Sequence, residues 1–399
     1  MKAIEFYIDS YKGLSRPAWI LACVILINRA GTMVLPFLSI YLREARDLDM
    51  NQVGIILSLF GGGALAGSLL GGWLTDKIGP FWVQTSSLVF GGICFLILKQ
   101  VETFEGLAIG FFLTTVVTDS LRPANSSAVA QYTKPENLTR AYSLNRMATN
   151  LGFTLGPAIG GFLATKNYDL LFYTDACTCI LAGLLFAGYF LTLTNTDNNL
   201  PLDKKSERVV APWENLRFMT FVVLVAGYGT VFFQLFTTLP LFYREVYVLP
   251  ENHIGWLLAL NGLIVFVVEM PLVSKLGNKV SIKRIVPIGA ALAGFGLLIL
   301  NCAEGIWVLF LSMILLSASE ILAMPFMTTY TVQSSTEKSR GRYLGMYSVG
   351  YSLAFIVAPA LGTYLIDFAD YSFLWNVLAI FALLVTAGMF YNIKEGKER

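Results

Sequence analysis

Apolar stretches of about 20 residues recur along the whole chain, each long enough at ~1.5 Å per residue to cross ~30 Å of hydrocarbon. They fall at 17–42, 52–75, 81–99, 105–130, 141–164, 170–193, 215–243, 253–273, 285–302, 305–331, 342–365 and 371–392. Six lie on each side of Asn195–Pro212, the only sizeable polar stretch, rich in Asn, Asp and Lys. The pattern predicts an all-α membrane protein with twelve transmembrane helices in two pseudo-symmetric six-helix bundles. Residues 1–194 and 215–399 form the bundles, and 195–214 is a solvated linker.

The two halves repeat each other at a spacing of 202 residues. Asp76 aligns with Asn278, Lys77 with Lys279, Pro123 with Pro325, Gln131 with Gln333, Arg140 with Arg342, Pro157 with Pro359 and Gly160 with Gly362. A single register that includes helix-bending prolines and glycines is the mark of an internal duplication. Duplicated apolar halves are typical of secondary transporters.

Composition agrees. Hydrophobic residues make up 56% of the 399 and charged residues only 14%, and the mean hydropathy is +0.65. The basic residues are unevenly spread. Arg43, Arg46, Lys99, Lys166 and Arg244 fall in one set of loops, and most of the 28 Lys and Arg fall in the other set, with the termini and linker. The excess of positive charge marks the cytoplasmic side, so both termini are expected inside. The first residues lack an apolar run followed by a small-residue cleavage site, so no removable leader is expected. A net charge of +2 then reflects topological anchors, and no nucleic-acid partner is expected. The five cysteines lie within apolar stretches as small packing residues, and the one histidine, His253, cannot build a zinc site. There is no phosphate-binding loop of the ATPase type and no HExxH. No metal and no cofactor are therefore expected, the energy source being a proton gradient, and an enzymatic role is not.

Charged residues inside apolar spans are costly and tend to face a cavity or a partner. Arg29, Asp119 and Glu320 fall near the middle of the first, fourth and tenth stretches, the depth at which an alternating-access carrier holds its cargo. Arg122 follows Asp119 by three residues on the same face, and Ser126 continues that face. In the repeat frame Glu320 corresponds to Thr118, next to Asp119. A carboxylate whose affinity for protons depends on a movable arginine is a coupling device, so Asp119, Glu320 and Arg122 are the proton-coupling candidates. The alternative is a static ion pair of Asp119 with Arg122 or Arg29. Glu269 and Arg146 sit near helix ends and read as structural or gating residues. For cargo, Tyr228, Phe232 and Phe236 recur at helical spacing in the seventh span, and Met324 and Met327 follow Glu320. With Asn28, Arg29 and Glu320 they are the binding candidates, although such stripes also serve packing.

Two further motifs carry a family resemblance. Gly71-Gly72-Trp73-Leu74-Thr75-Asp76-Lys77-Ile78-Gly79 resembles the loop signature of the major facilitator superfamily, with Pro80 and Phe81 where basic residues usually follow. The resemblance implies a conformational latch at Gly72, Asp76, Lys77 and Gly79; a plain tight turn is the alternative. In the fifth span Gly152, Gly156, Pro157, Gly160 and Gly161 reproduce a pattern that resembles the antiporter motif of drug–proton exporters. Asp119-Ser120-Leu121-Arg122-Pro123 is similar to the fourth-span arginine motif of the same branch.

The resemblance implies the major facilitator fold and a proton-coupled exporter of small amphipathic or apolar compounds. The expected partners are the lipid bilayer, a small-molecule substrate and protons, for a monomer in a bacterial cytoplasmic membrane. A second reading, symport of zwitterions such as small peptides or amino acids, rests on a faint similarity of Asn28-Arg29 and Glu320 to oligopeptide carriers. A membrane sensor or enzyme is the alternative from another class.

Overall fold

The computed structural model describes residues 14–134, 137–194, 211–276, 280–335 and 339–393. Most of the expected linker and the second-half loop copy at Gly277, Asn278 and Lys279 lie outside the described residues. Among the described residues twelve long helices follow one another: α1 (Arg16–Ala45), α2 (Met50–Ile78), α3 (Pro80–Leu98), α4 (Phe104–Gln131), α5 (Leu138–Ala164), α6 (Asp169–Thr194), α7 (Leu216–Glu245), α8 (Glu251–Leu276), α9 (Ile282–Cys302), α10 (Ile306–Gln333), α11 (Arg340–Phe368) and α12 (Tyr371–Asn392). Eleven of them are long and apolar enough to cross a membrane by composition alone. The twelfth, α5, has the length at 27 residues; its Asn, Thr and Gly residues dilute its hydropathy.

Local chemistry explains where these helices begin. Thr103, Asn215 and Asp370 cap α4, α7 and α12, their side chains accepting from the backbone N–H of Gly106, Phe218 and Phe373. Between α2 and α3 the chain turns at Gly79, whose φ of 84° suits a residue without a Cβ, and Pro80 then occupies the first helical position.

The helices pack into two compact units. The first takes in the described residues of Met1–Phe37 and Gly63–Pro201, the second those of Leu38–Gly62 and Leu202–Arg399. The first is cored by Leu21, Val24, Phe81, Leu88, Leu121, Phe186 and Phe190. Within it Gly63, Gly67 and Gly71 of α2 lie against the α4 backbone at Phe112, Val116 and Ser120, an approach any Cβ would obstruct. The second unit is cored by Trp375, Tyr243, Phe218 and Phe221, and there Gly54 and Gly61 lie against Thr363 and Phe355 of α11. Large apolar side chains such as Leu69, Phe90, Ile109, Leu184, Trp256 and Leu384 stay more than half exposed, the arrangement of a protein whose solvent is lipid.

The duplication reaches into the irregular parts. The first span breaks between Gly31 and Val34, and the seventh is interrupted by a 3₁₀ turn at Phe233–Phe236. These sites are related by the same 202-residue spacing. Gly160 packs on the first break at Met33 and Gly362 on the second at Gln234 and Thr238.

Within the second unit, residues 42–48 and 243–249 form one turn twice, now 201 apart. Leu48 N–H donates to the Leu42 carbonyl and Leu249 N–H to the Tyr243 carbonyl, each at 3.1 Å. Asp47 (φ 51°) and Val248 (φ 53°) occupy the left-handed region at the same place. Arg43 donates to the Leu48 carbonyl at 3.0 Å and Arg244 to that of Leu249 at 3.2 Å.

Candidate functional site

The break in α1 frees backbone donors that must find partners in an apolar surrounding. Asp175 of α6 supplies one. Its Oδ2 accepts from Met33 N–H at 3.2 Å and Val34 N–H at 2.9 Å, and the residue is 2% exposed. A carboxylate at the start of a short helix is also favoured by the direction of the peptide dipoles. The break in α7 is handled differently. Gln234 donates to the Thr230 and Ala358 carbonyls and accepts from Thr238 at 2.6 Å.

The glycines of the fifth-span motif press against this break. A Cβ at Gly152 would overlap that of Arg29; at Gly156 it would lie 3.0 Å from the Thr32 carbonyl, and at Gly160 3.1 Å from the Met33 Cβ. Pro157 and Gly161 are buried beside them. The motif therefore lets α5 lie flush on α1 where α1 changes direction, and it places Phe153 next to Arg29, whose guanidinium sits 5.6 Å from the ring centroid.

Arg29 also lines a cleft of about 200 Å³ within the first unit, together with Ile25, Leu121, Arg122, Asn125, Ser126, Tyr142, Asn145 and Thr149. Arg122 forms an ion pair with Asp119, one turn away; the carboxylate side chain is 11% exposed and the arginine 60%. Several polar groups of the wall are tied locally. Tyr142 donates to the Ser126 carbonyl at 2.9 Å and Thr149 to the Asn145 carbonyl at 3.0 Å. Asn125 accepts from Gln84 at 3.5 Å. Asn28 is turned away, its amide donating to Cys179 Sγ of α6 at 3.3 Å.

In the second unit Glu320 accepts from Asn261 of α8 at 3.2 Å, and the same amide reaches Ser317 at 3.1 Å. Tyr228 shares a hydrogen bond of 3.1 Å with Ser319 and stacks on Phe232 at 5.9 Å, both rings being buried. Phe236 ends the 3₁₀ turn. The Met324 carbonyl accepts from Tyr347 at 3.4 Å. An aromatic row not picked out from the sequence joins them: Phe233 meets Phe355 at 4.8 Å and Tyr351 at 6.0 Å, and Tyr351 meets Tyr347 at 5.1 Å.

At the end of α2, Asp76 is exposed and forms no ion pair with a described residue, and Lys77 lies over the Trp73 ring at 3.9 Å. Gly72 faces Pro123, and Gly79 donates to the Thr75 carbonyl at 3.0 Å to close the turn.

The sequence profile of the Major Facilitator Superfamily matches residues 19–252 and 243–399, nearly the whole chain. The chain belongs to that superfamily. It is 23% identical to a Na(+), Li(+), K(+)/H(+) antiporter of Planococcus maritimus over 92% of both chains. It is 22% identical to the multidrug resistance protein MdtH of Yersinia pestis (strain Pestoides F), over 91% of this chain and 90% of that one. Among solved structures, a peptide transporter POT in complex with sulfate superposes with a TM-score of 0.76 at 16% identity, over 94% of this chain and 95% of the other. The protein is thus an integral membrane transporter with the major facilitator fold.

In this facilitator the first unit brings Arg29, Arg122 and Ser126 to one cleft and sets Asp119 behind Arg122, whereas Asn28 and Tyr228 engage neighbouring helices. Asp175 is the functional-site residue that the sequence reading overlooked. Its signal was a lone carboxylate well inside the apolar sixth span.

Proposed function

We propose that this facilitator is a proton-coupled secondary transporter that exports small amphipathic compounds by alternating access. One observation carries the reading: a cleft among membrane-spanning helices is lined by the half-buried Arg29 and by an arginine whose carboxylate partner, Asp119, is one turn away. A carboxylate held by a movable cation takes up a proton when the cation leaves and gives it up when it returns. Glu320, on an apolar helix of the other unit and bonded to an amide that also serves Ser317, is the second coupling candidate. The antiporter relative supports exchange against protons, and the multidrug resistance relative supports a small-molecule cargo. The protein works as a monomer without a bound cofactor, in the cytoplasmic membrane of a bacterium, with both termini and the linker in the cytoplasm.

A second reading is symport of small zwitterions. It is favoured by Arg29, which faces the cleft of the first unit and suits the carboxylate end of an amino acid or short peptide.

Purified protein in proteoliposomes containing a pH-sensitive dye discriminates them. Export-type exchange moves protons opposite to the added compound, and symport moves them with it. Transport without any proton movement contradicts both.

A further inference from the structure

We infer that the compound carried is an organic anion, whose acidic group docks between Arg29 and Arg122 in the cleft of the first unit. The inference rests on the transport reading above and names the substrate class for the same site.

Among the described residues, the only charged side chains lining the cleft are these two guanidinium groups. They differ in how their charge is met. Arg122 has Asp119, whereas no described carboxylate forms an ion pair with Arg29; the Asp175 carboxylate is engaged by the Met33 and Val34 amides. Arg29 rests on the face of Phe153 instead. A ring face meets a cation only weakly, by about 0.5–2 kcal/mol, while a cation in the hydrocarbon region costs ~2.5–3.5 kcal/mol even on insertion scales. A carboxylate on the cargo meets that deficit and matches the planar fork of a guanidinium with two parallel hydrogen bonds.

The remaining lining fits the same ligand. Ser126 adds a hydroxyl beside Arg122, and the Asn125 side chain turns its carbonyl oxygen to Gln84, so its amide hydrogens stay available to an acceptor. Ile25 and Leu121 supply apolar wall. A volume of about 200 Å³ equals roughly seven waters at ~30 Å³ each. That is room for an acid group and a few carbons, with the apolar remainder of the molecule projecting through the mouth of the cleft.

The test uses the purified full-length protein and sets of matched compounds: hexanoate, hexanamide and hexylamine, then benzoate, benzamide and benzylamine. Ligand binding to the folded state raises the unfolding temperature by mass action. The acids should stabilise the protein in a dose-dependent way, and the amides and amines at least tenfold more weakly. Arg29→Gln should weaken binding of the acids at least tenfold, and Arg29→Lys, which keeps the charge without the fork, by less. The ranking on the unaltered protein decides the matter even if Arg29→Gln does not fold, and Arg122→Gln provides a second variant. Equal stabilisation by an amide or amine, no stabilisation by either acid, or unchanged binding in folded Arg29→Gln overturns the inference. Acid binding without coupled flux keeps the site and removes the transport reading; proton-coupled flux of the amines alone keeps transport and removes the anion.

Discussion

Arg43 pairs with Glu245 at 3.4 Å, and the same bond is made again with the roles exchanged, Arg244 to Glu44. The two Arg-Glu dipeptides are 201 residues apart and each sits in the same turn, so the reciprocal pairing is a local two-fold within the second unit. The copies are not equal. Arg244 grips both oxygens of Glu44 and lies 3.5 Å from Glu251, while Glu245 also accepts from Tyr371 at 2.7 Å.

Exposed ion pairs contribute about 0.2–1 kcal/mol each, less at high salt. Arg43→Glu places two acids together and should lower the unfolding temperature by a few degrees at most. The double variant Arg43→Glu with Glu245→Arg should recover most of the loss. Thermal unfolding of the single and double variants at low and high salt measures this, and a loss insensitive to the partner's charge would mean that the pair is incidental.

Asp175 should matter more. Removing it in Asp175→Ala leaves two buried N–H groups without an acceptor, at about 1–3 kcal/mol each. Asp175→Asn can keep one oxygen in the place of Oδ2, which accepts both bonds, without its charge, and should lose less. Chemical unfolding of the two variants in detergent ranks them, and equal behaviour of both with the unaltered protein would remove Asp175 as the keeper of the α1 break.

The glycine positions were legible because duplication and small-residue spacing are written in residue identity. Gly160 and Gly362 align at 202 residues, and both turn out to lie on a broken helix. The break is announced by Gly31 just before it and Pro36 just after it, but the partners of Asp175 are main-chain amides, so its lone carboxylate in the sixth span does not say what it holds. Tyr347, Tyr351 and Phe355 share a helix face at intervals of four, which is equally the pattern of a lipid-facing stripe. The Gly63, Gly67 and Gly71 row was open to reading, since glycines at every fourth position mark close helix contact.

Substitution by alanine should therefore have opposite signs at two helical glycines. Gly152→Ala collides with Arg29 and should destabilise by about 1–3 kcal/mol, as overpacking does. Gly345, where a Cβ would have no described neighbour within 4 Å outside its own helix backbone, should gain up to about 1 kcal/mol from the better helix propensity of alanine. Unfolding temperatures of the two variants settle the contrast; a stable Gly152→Ala with unaltered binding would show that the α1–α5 contact has slack.

The central claim is that Asp119 or Glu320 carries the coupled proton. Glu320→Gln and Asp119→Asn keep shape and hydrogen bonding and remove titration; the second also frees Arg122. The most direct measurement is pH-gradient-driven accumulation and counterflow of a bound compound in the same proteoliposomes, for the unaltered protein, both single variants and the double variant. The account predicts that the neutral substitution of the coupling acid abolishes gradient-driven accumulation while counterflow survives. Full accumulation in both single variants and in the double variant would contradict it.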